Sequence, residues 1–191
     1  MVQGLLDYDD ICFKGGAMIL KVGSVCLSLL LVLGCTGRST VEPKRIKAGD
    51  TAPEFALSDM FSSEDIRSPK IVHNHSATVI IIWSMACPSC REALADIQKV
   101  YEDYSRMGVA FLGINFDTEN LQGVRAFLKG EGIEFTALWD GGRRVTKTYK
   151  ALGYTFSIFI VDRTGTVVLA QYDHPPDLAA ILAQKLDQII Q

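Results

Sequence analysis

The stretch ATVIIIWSMACPSC, residues 77–90, decides the fold. It opens with a continuous apolar and β-branched run, which is typical of a strand buried on both faces. Cys87 and Cys90 follow, with two residues between them. Pro88 suits the first position of a helix, where its missing N–H costs no hydrogen bond. The stretch therefore predicts a buried strand, a tight turn and a helix that begins at a cysteine pair.

The position of this pair favours redox chemistry. Cys87 lies at the predicted N-cap, where free backbone N–H groups and the helix dipole lower the pKa of a thiol. Cys90 lies one turn later on the same face, at a spacing that suits a disulfide. A purely structural disulfide is disfavoured, because closing so short a loop removes little chain entropy. We predict that Cys87 is the nucleophile and Cys90 the resolving thiol of a disulfide exchange.

The rest of the chain alternates between strand and helix patterns. Its 191 residues suffice for one domain with a core, and its net charge of -3 gives no reason to expect a nucleic-acid partner. The alternation predicts an α/β fold in which helices cover a mixed sheet. The predicted segments are a helix over 88–107, a strand over 108–116, a helix over 119–132, a strand over 135–139, a short helix over 143–152, a hairpin over 157–172 and a closing helix over 175–190.

The N-terminal region has the pattern of a secretion leader. The apolar run over 22–33 is too short to span a bilayer as a helix but suits the core of a signal peptide. The sequence VLGC over 32–35 resembles the lipobox of bacterial lipoproteins, which implies cleavage before Cys35 and acylation of its thiol. Acidic residues near the first methionine do not suit a leader, so we hypothesise that Met18 is the true start. We therefore expect three parts: a signal peptide over 1–34, a lipid-anchored polar tether over 35–47 and a globular domain over 48–191.

This interpretation determines which thiols stay free. Cys12 and Cys26 leave with the leader, and Cys35 is capped by lipid, so Cys87 and Cys90 remain. Disulfides persist outside the cytoplasm. We expect an extracytoplasmic protein of the cell envelope, tethered to a membrane and on the periplasmic side in a Gram-negative cell.

Four segments resemble the TlpA/ResA-like thiol–disulfide oxidoreductases, a membrane-attached group of the thioredoxin superfamily related to the AhpC/TSA redoxins. The resemblance implies a three-layer thioredoxin-like fold with the inserted strand and helix of that group, and an antioxidant activity. It implies the same roles for Cys87 and Cys90 and a packing role for Trp83 beneath the site, and it calls for no cofactor. The implied partners are protein thiols or disulfides, apocytochrome c among them, and a membrane thiol transporter that donates electrons. The segments are AGDTAPEFALSD (48–59), IIIWSMACPSCREALADIQKVYEDY (80–104), GVAFLGINFDTENLQGVRAFLKGEGIEFTALWD (108–140) and FIVDRTGTVV (159–168).

The chain departs from that group around the pair. Ala86 stands where an aromatic residue is usual, and neither Ile81 nor Ala93 supplies the acid that relatives use to deprotonate the second cysteine. The proline of the loop facing the pair is replaced by Thr155 or Phe156. We therefore predict a reshaped substrate loop, in which Phe156 or Tyr154 covers the pair, and a narrow substrate range.

Two other functions remain open. A copper chaperone would combine the cysteines with a histidine, for which His73, His75 and His174 are the candidates. A peroxiredoxin-like peroxidase needs a single peroxidatic cysteine, which the CxxC spacing does not favour. The resemblance favours a reductant over an oxidant, although the reduction potential decides the direction. No metal ligand is assigned.

Overall fold

A computed structural model describes residues 44–62 and 64–190. The described residues contain seven strands and five α-helices. The strands are β1 (Ala56–Ser58), β2 (Asp65–Arg67), β3 (Ala77–Trp83), β4 (Val109–Asn115), β5 (Thr136–Trp139), β6 (Phe156–Asp162) and β7 (Val167–Gln171). The helices are α1 (Ser68–Asn74), α2 (Pro88–Tyr104), α3 (Leu121–Gly130), α4 (Arg144–Thr148) and α5 (Leu178–Ile190).

Five strands form one mixed sheet in the order β5–β4–β3–β6–β7. Strand β4 runs parallel to both β3 and β5, whereas β6 runs antiparallel to both β3 and β7. The predicted mixed sheet is thus confirmed. Strand β3 lies at its centre, as its uninterrupted apolar sequence predicts, because both of its faces are covered.

The sheet separates two hydrophobic clusters. Val79, Ile81 and Trp83 of β3 face one cluster, to which α2, α3 and α5 contribute, while Ile80 and Ile82 face the other, to which α1 and α4 contribute. Successive side chains of a strand point to opposite faces, so one apolar run serves both clusters. The result is three layers, with the end of β3 held rigidly between them.

The first helix and the small hairpin are the main differences from the sequence-based expectation. No helix is predicted before the core strand, yet His73 lies in α1 and His75 caps its C-terminus. Strands β1 and β2 pair antiparallel outside the main sheet. Each of these elements is so short that periodicity carries little signal. Helix α2 ends at Tyr104, three residues before the predicted end, and a 3₁₀ turn continues to Met107.

The chain enters the domain beside the end of β7. Ile46 is buried, its backbone N–H donates to the Tyr172 hydroxyl at 2.8 Å, and that hydroxyl also contacts the backbone carbonyl of Tyr149 at 3.2 Å. The Arg45 guanidinium lies 5.1 Å from the ring centre of Tyr154 and 5.7 Å from that of Tyr172. The last residues of the predicted tether therefore pack against the domain, because Ile46 and Arg45 find an apolar and aromatic surface there.

The predictions for the N-terminal region concern residues that lie outside the described part of the chain. These are the signal peptide over 1–34, the start at Met18 and the lipidated Cys35. Within residues 44–62 and 64–190, no helix combines the length and the apolar character that a membrane crossing needs.

Candidate active site at the end of the central strand

The cysteine pair lies where β3 gives way to α2. Cys87 is the N-cap of α2, with extended backbone angles, and Pro88 occupies the first turn, as the sequence predicts. The two sulfurs form a disulfide, and the Cα atoms of Cys87 and Cys90 are 5.2 Å apart. The backbone N–H of Cys90 donates to the sulfur of Cys87 at 3.2 Å. The first turn of the helix thus presents a hydrogen-bond donor to the outer sulfur.

The two sulfurs differ in how far solvent reaches them. Cys87 is 8% exposed, whereas Cys90 is 0% exposed. Ala86, Pro88 and Ser89 around them are exposed, and the Ser89 hydroxyl lies 3.4 Å from the sulfur of Cys87. Cys87 is thus the more exposed of the two cysteines, and Cys90 is fully buried.

The loop before β6 faces the inner sulfur. The carbonyl oxygen of Thr155 lies 3.4 Å from the sulfur of Cys90. Phe156 is buried in the same hydrophobic cluster as the cysteines, while Tyr154 packs on the Tyr172 ring, 5.0 Å between centres, in the other cluster. Of the two residues expected to cover the pair, it is Phe156 that the structure brings to it. The His174 ring in turn packs on Phe156, at 5.7 Å between centres.

Trp83 packs beneath the site. It is buried at the end of β3, and its ring lies 5.9 Å from that of Phe127 in α3. Trp83 pairs with Phe156 across the β3–β6 ladder and with Asn115 across the β3–β4 ladder. Its position therefore joins the cysteine turn, the loop before β6 and helix α3.

A polar network behind the cysteine turn was not anticipated from the sequence. The Asp117 carboxylate accepts hydrogen bonds from the Ser84 hydroxyl, from the backbone N–H of Met85 at 2.7 Å and from the side-chain amide of Asn115 at 2.9 Å. The Ser84 hydroxyl oxygen accepts from the backbone N–H of Ala86 at 3.1 Å. The sequence signal for this network is the pair of polar residues in GINFD. Asn115 and Asp117 lie at the carboxyl end of a buried parallel strand, where side chains from neighbouring strands meet.

Of the three histidines, His174 alone lies at the end of the sheet that carries the cysteines, where its ring packs on Phe156. His73 and His75 lie before β3, at the end opposite to the pair, and their Nδ1 atoms contact the carbonyl oxygens of Arg163 at 3.0 Å and Ile71 at 2.7 Å. Over the part of the chain that the structure describes, no three His, Cys, Asp or Glu side chains form a group that could hold a metal ion. The copper interpretation therefore gains no support from this arrangement.

Comparison with known proteins adds a family and a fold. A family model described as AhpC/TSA family matches residues 48–170. The thiol-disulfide oxidoreductase ResA of Geobacillus thermodenitrificans is 28% identical over 149 residues, which cover 75% of this chain and 80% of that protein. A candidate peroxiredoxin of Mycobacterium tuberculosis is 26% identical over 144 residues, covering 68% of this chain and 87% of that protein.

Solved structures share the architecture. A crystal structure of a candidate thiol:disulfide interchange protein DsbE from Chlorobium tepidum superposes with a TM-score of 0.68 at 22% identity, covering 78% of this chain and all of that one. At this level of identity the likeness concerns the fold. The predicted thioredoxin-like α/β fold is confirmed.

Proposed function

The chain belongs to the AhpC/TSA family and is a TlpA/ResA-like thiol–disulfide oxidoreductase, and from that premise we propose that it reduces protein disulfides at a membrane surface outside the cytoplasm. Cys87 is the nucleophile in this proposal and Cys90 the resolving thiol. The observation that carries it is the asymmetry of the pair: the outer sulfur is partly accessible at a helix N-terminus, and the inner one is buried beside Thr155.

The exchange takes two steps. The Cys87 thiolate attacks one sulfur of the target disulfide, a bond forms between them, and the other target sulfur leaves as a thiolate that takes up a proton. Cys90 then loses its proton and attacks the sulfur of Cys87, which forms the Cys87–Cys90 disulfide and releases the second target thiol. Two electrons pass from the protein to the target in each cycle. The N-terminal dipole of α2 favours the Cys87 thiolate in the first step.

The proposed partners follow from the same family. Apocytochrome c is one candidate target, since its haem-binding cysteines must be reduced, and a membrane thiol transporter would reduce the Cys87–Cys90 disulfide again. The exposed residues around Cys87 support a protein target, because a peptide segment can pack against them beside the sulfur. Lipid attached to Cys35 would hold the domain at the membrane, on the periplasmic side in a Gram-negative cell.

The decisive experiment measures both activity and direction. Reduced protein is mixed with an oxidised peptide that contains a CxxCH segment, and free peptide thiols are counted over time, with the Cys87→Ser variant as control. We expect one peptide disulfide reduced per protein in the absence of a donor. Equilibration with glutathione gives the reduction potential, and a value near -120 mV, which is typical of strong oxidants of this superfamily, would contradict a reductant.

A peroxidase is the second candidate, and the likeness to a candidate peroxiredoxin favours it. In that case Cys87 would attack a peroxide, form a sulfenic acid and condense with Cys90 to a disulfide, with release of water. Loss of hydrogen peroxide on incubation with reduced protein distinguishes the two. Rapid turnover of peroxide with no reduction of the peptide would favour the peroxidase.

The membrane anchor has its own test. Expression of the full chain in a bacterium fed a labelled fatty acid should label the protein, and Cys35→Ala should abolish the label. Protein that carries no label but sediments with membranes would contradict a lipid at Cys35.

A further inference from the structure

Asp117 stands out among the charged side chains near the pair because it contacts the cysteine turn without being part of it. It follows β4, yet it accepts a backbone hydrogen bond from Met85, two residues before Cys87. Its second carboxylate oxygen accepts from Ser84, whose hydroxyl holds the N–H of Ala86. Asn115, which is fully buried, donates to the Asp117 carboxylate and to the carbonyl of Trp83 at 3.4 Å. The network therefore ties the turn between Trp83 and Cys87 to the neighbouring strand.

We propose that Asp117 is a positioning residue for Cys87, which fixes the turn that carries the nucleophile and holds a negative charge beside the N-terminus of α2. The proposal deepens the function given above, on which it rests. Three donors converge on one carboxylate, and two of them, the Ser84 hydroxyl and the Met85 N–H, belong to the turn that leads to Cys87. The carboxylate therefore lies against that turn, within three residues of the sulfur along the chain.

The charge has a defined chemical consequence. The Cys87 thiolate and the Asp117 carboxylate are like charges, so the carboxylate raises the pKa of Cys87 above the value that the helix N-terminus alone would give. A less stable thiolate means a less stable reduced state, and the equilibrium shifts toward the disulfide. Asp117 thus makes the pair a stronger reductant, which compensates for an N-cap position that would otherwise favour the dithiol.

The other titratable groups around the pair need to be kept constant in any test. Arg91 and Glu92 lie one turn further along α2, and His174 packs on Phe156 from the segment after β7. Arg143, whose guanidinium lies 5.6 Å from the ring centre of Phe116, belongs to the loop before α4. None of them is bonded to the cysteine turn in the way that Asp117 is.

Asp117→Asn separates charge from shape. An amide of the same size can still accept from Met85 and Asn115 through its oxygen, and its NH₂ group can donate to the Ser84 hydroxyl oxygen. Rates of alkylation of Cys87 by iodoacetamide are measured against pH in the full chain that carries Cys90→Ser, so that one thiol of the pair reacts. We expect the midpoint of the profile to fall and the rate below the midpoint to rise roughly three- to tenfold in Asp117→Asn.

Three further variants make the outcome decisive. Asp117→Glu keeps the charge and should return the midpoint toward the parent value. Ser84→Ala removes two hydrogen bonds, one to Asp117 and one from the N–H of Ala86, without a change of charge and should leave the midpoint in place. Asp96→Asn removes an equal charge from the exposed, distant part of α2 and serves as the matched control.

The reduction potential, measured in protein that retains both cysteines, should change in the same variants as the alkylation midpoint. Asp117→Asn should shift the equilibrium with glutathione about threefold toward the dithiol, while Asp96→Asn should leave it unchanged. An unchanged profile in Asp117→Asn, or an equal shift in Ser84→Ala, overturns the proposal. The alkylation profile reports on Cys87 whether or not the protein reduces disulfides, so failure of the proposed function would be seen separately in the peptide assay.

Discussion

The two segments that flank the cysteine pair are built in different ways. The turn over 84–87 is tied by hydrogen bonds to Ser84 and Asp117 side chains, behind which Asn115 is fully buried. The loop over 152–155 is held by a backbone hydrogen bond from Tyr154 to Ala151 and by aromatic packing, and Leu152 at its tip is 48% exposed. We propose a division of labour from this difference: the tied turn fixes the reacting sulfur, and the exposed loop contacts a partner.

The largest expected effect comes from breaking the pair that the two segments share. Cys90→Ser should trap mixed disulfides between Cys87 and target proteins, because the resolving thiol is absent, whereas Cys87→Ser should trap almost none. Non-reducing electrophoresis of both variants, after acid quenching in cells, gives the comparison. Equal trapping by both variants would mean that the assigned roles of the two thiols are wrong.

Stability should distinguish the tied turn from the open loop. Asn115→Ala removes two hydrogen bonds to the Trp83 carbonyl and the Asp117 carboxylate and leaves the backbone N–H of Asp117 without its acceptor, so the free energy of unfolding should fall by about 1–3 kcal/mol. Leu152→Ala, in the loop, should change it by less than about 0.5 kcal/mol. Urea unfolding at neutral pH measures both, and a larger loss in Leu152→Ala would reverse the comparison.

Activity on a protein target should distinguish the two segments in the opposite sense, because here the variant in the loop has the measurable effect. Leu152→Ala removes apolar surface from the open loop, so the KM for a protein target should rise by roughly threefold, as expected for one buried methylene-rich contact. Reduction of a small disulfide, which is too short to reach the loop, should keep its rate. Met107→Ala alters a comparably exposed side chain in the 3₁₀ turn that follows α2 and is the matched control. A uniform loss on both substrates would place Leu152 outside target recognition.

The smallest expected effect concerns Tyr104, which lies outside both segments, and it gives a baseline for the stability measurements. Burial, and then the hydrogen bond to Asp187, raise the pKa of Tyr104 to about 12. The folded state therefore holds the phenol proton more tightly than the unfolded chain does. This stabilisation is complete below the pKa of an exposed tyrosine, about 10, and is lost as the pH rises toward 12. Urea midpoints should fall between pH 9 and 11, and Tyr104→Phe should reduce that slope. A slope identical in the variant would contradict the assignment.

The contrast between the two segments also explains what the sequence could predict. The run ending at Trp83 and the Pro88 that follows the first cysteine specify a buried strand and a helix start locally, so β3, α2 and the N-cap position of Cys87 agree with expectation. Asp117 acts only because β4 lies beside β3, which brings residues 32 positions apart together. Such a contact depends on strand pairing and leaves no periodic trace.

The loop before β6 shows the same limit of prediction from sequence. Without a proline, the sequence left Tyr154 and Phe156 as equal candidates for covering the pair. Phe156 opens β6 and lies in the cluster of the cysteines, while Tyr154 precedes the strand and joins the opposite cluster. Residues two apart on one strand would share a face. The turn before β6, closed by the hydrogen bond from Tyr154 to Ala151, therefore decides between them, and a turn leaves no periodic pattern in the sequence.

The point at which the chain enters the domain has a consequence for how the protein meets its targets. Arg45 and Ile46 dock beside Tyr154 and Tyr172, at the end of the sheet where the cysteines lie. Nine residues, 36–44, separate Arg45 from Cys35, a reach of about 30–32 Å when fully extended. With Cys35 in a bilayer, so short a connecting segment would keep the Cys87–Cys90 pair close to the membrane surface. The rate of encounter would then depend on the surface density of membrane-bound partners, whose effective concentration at the pair would be high. A freely diffusing target would compete poorly with them.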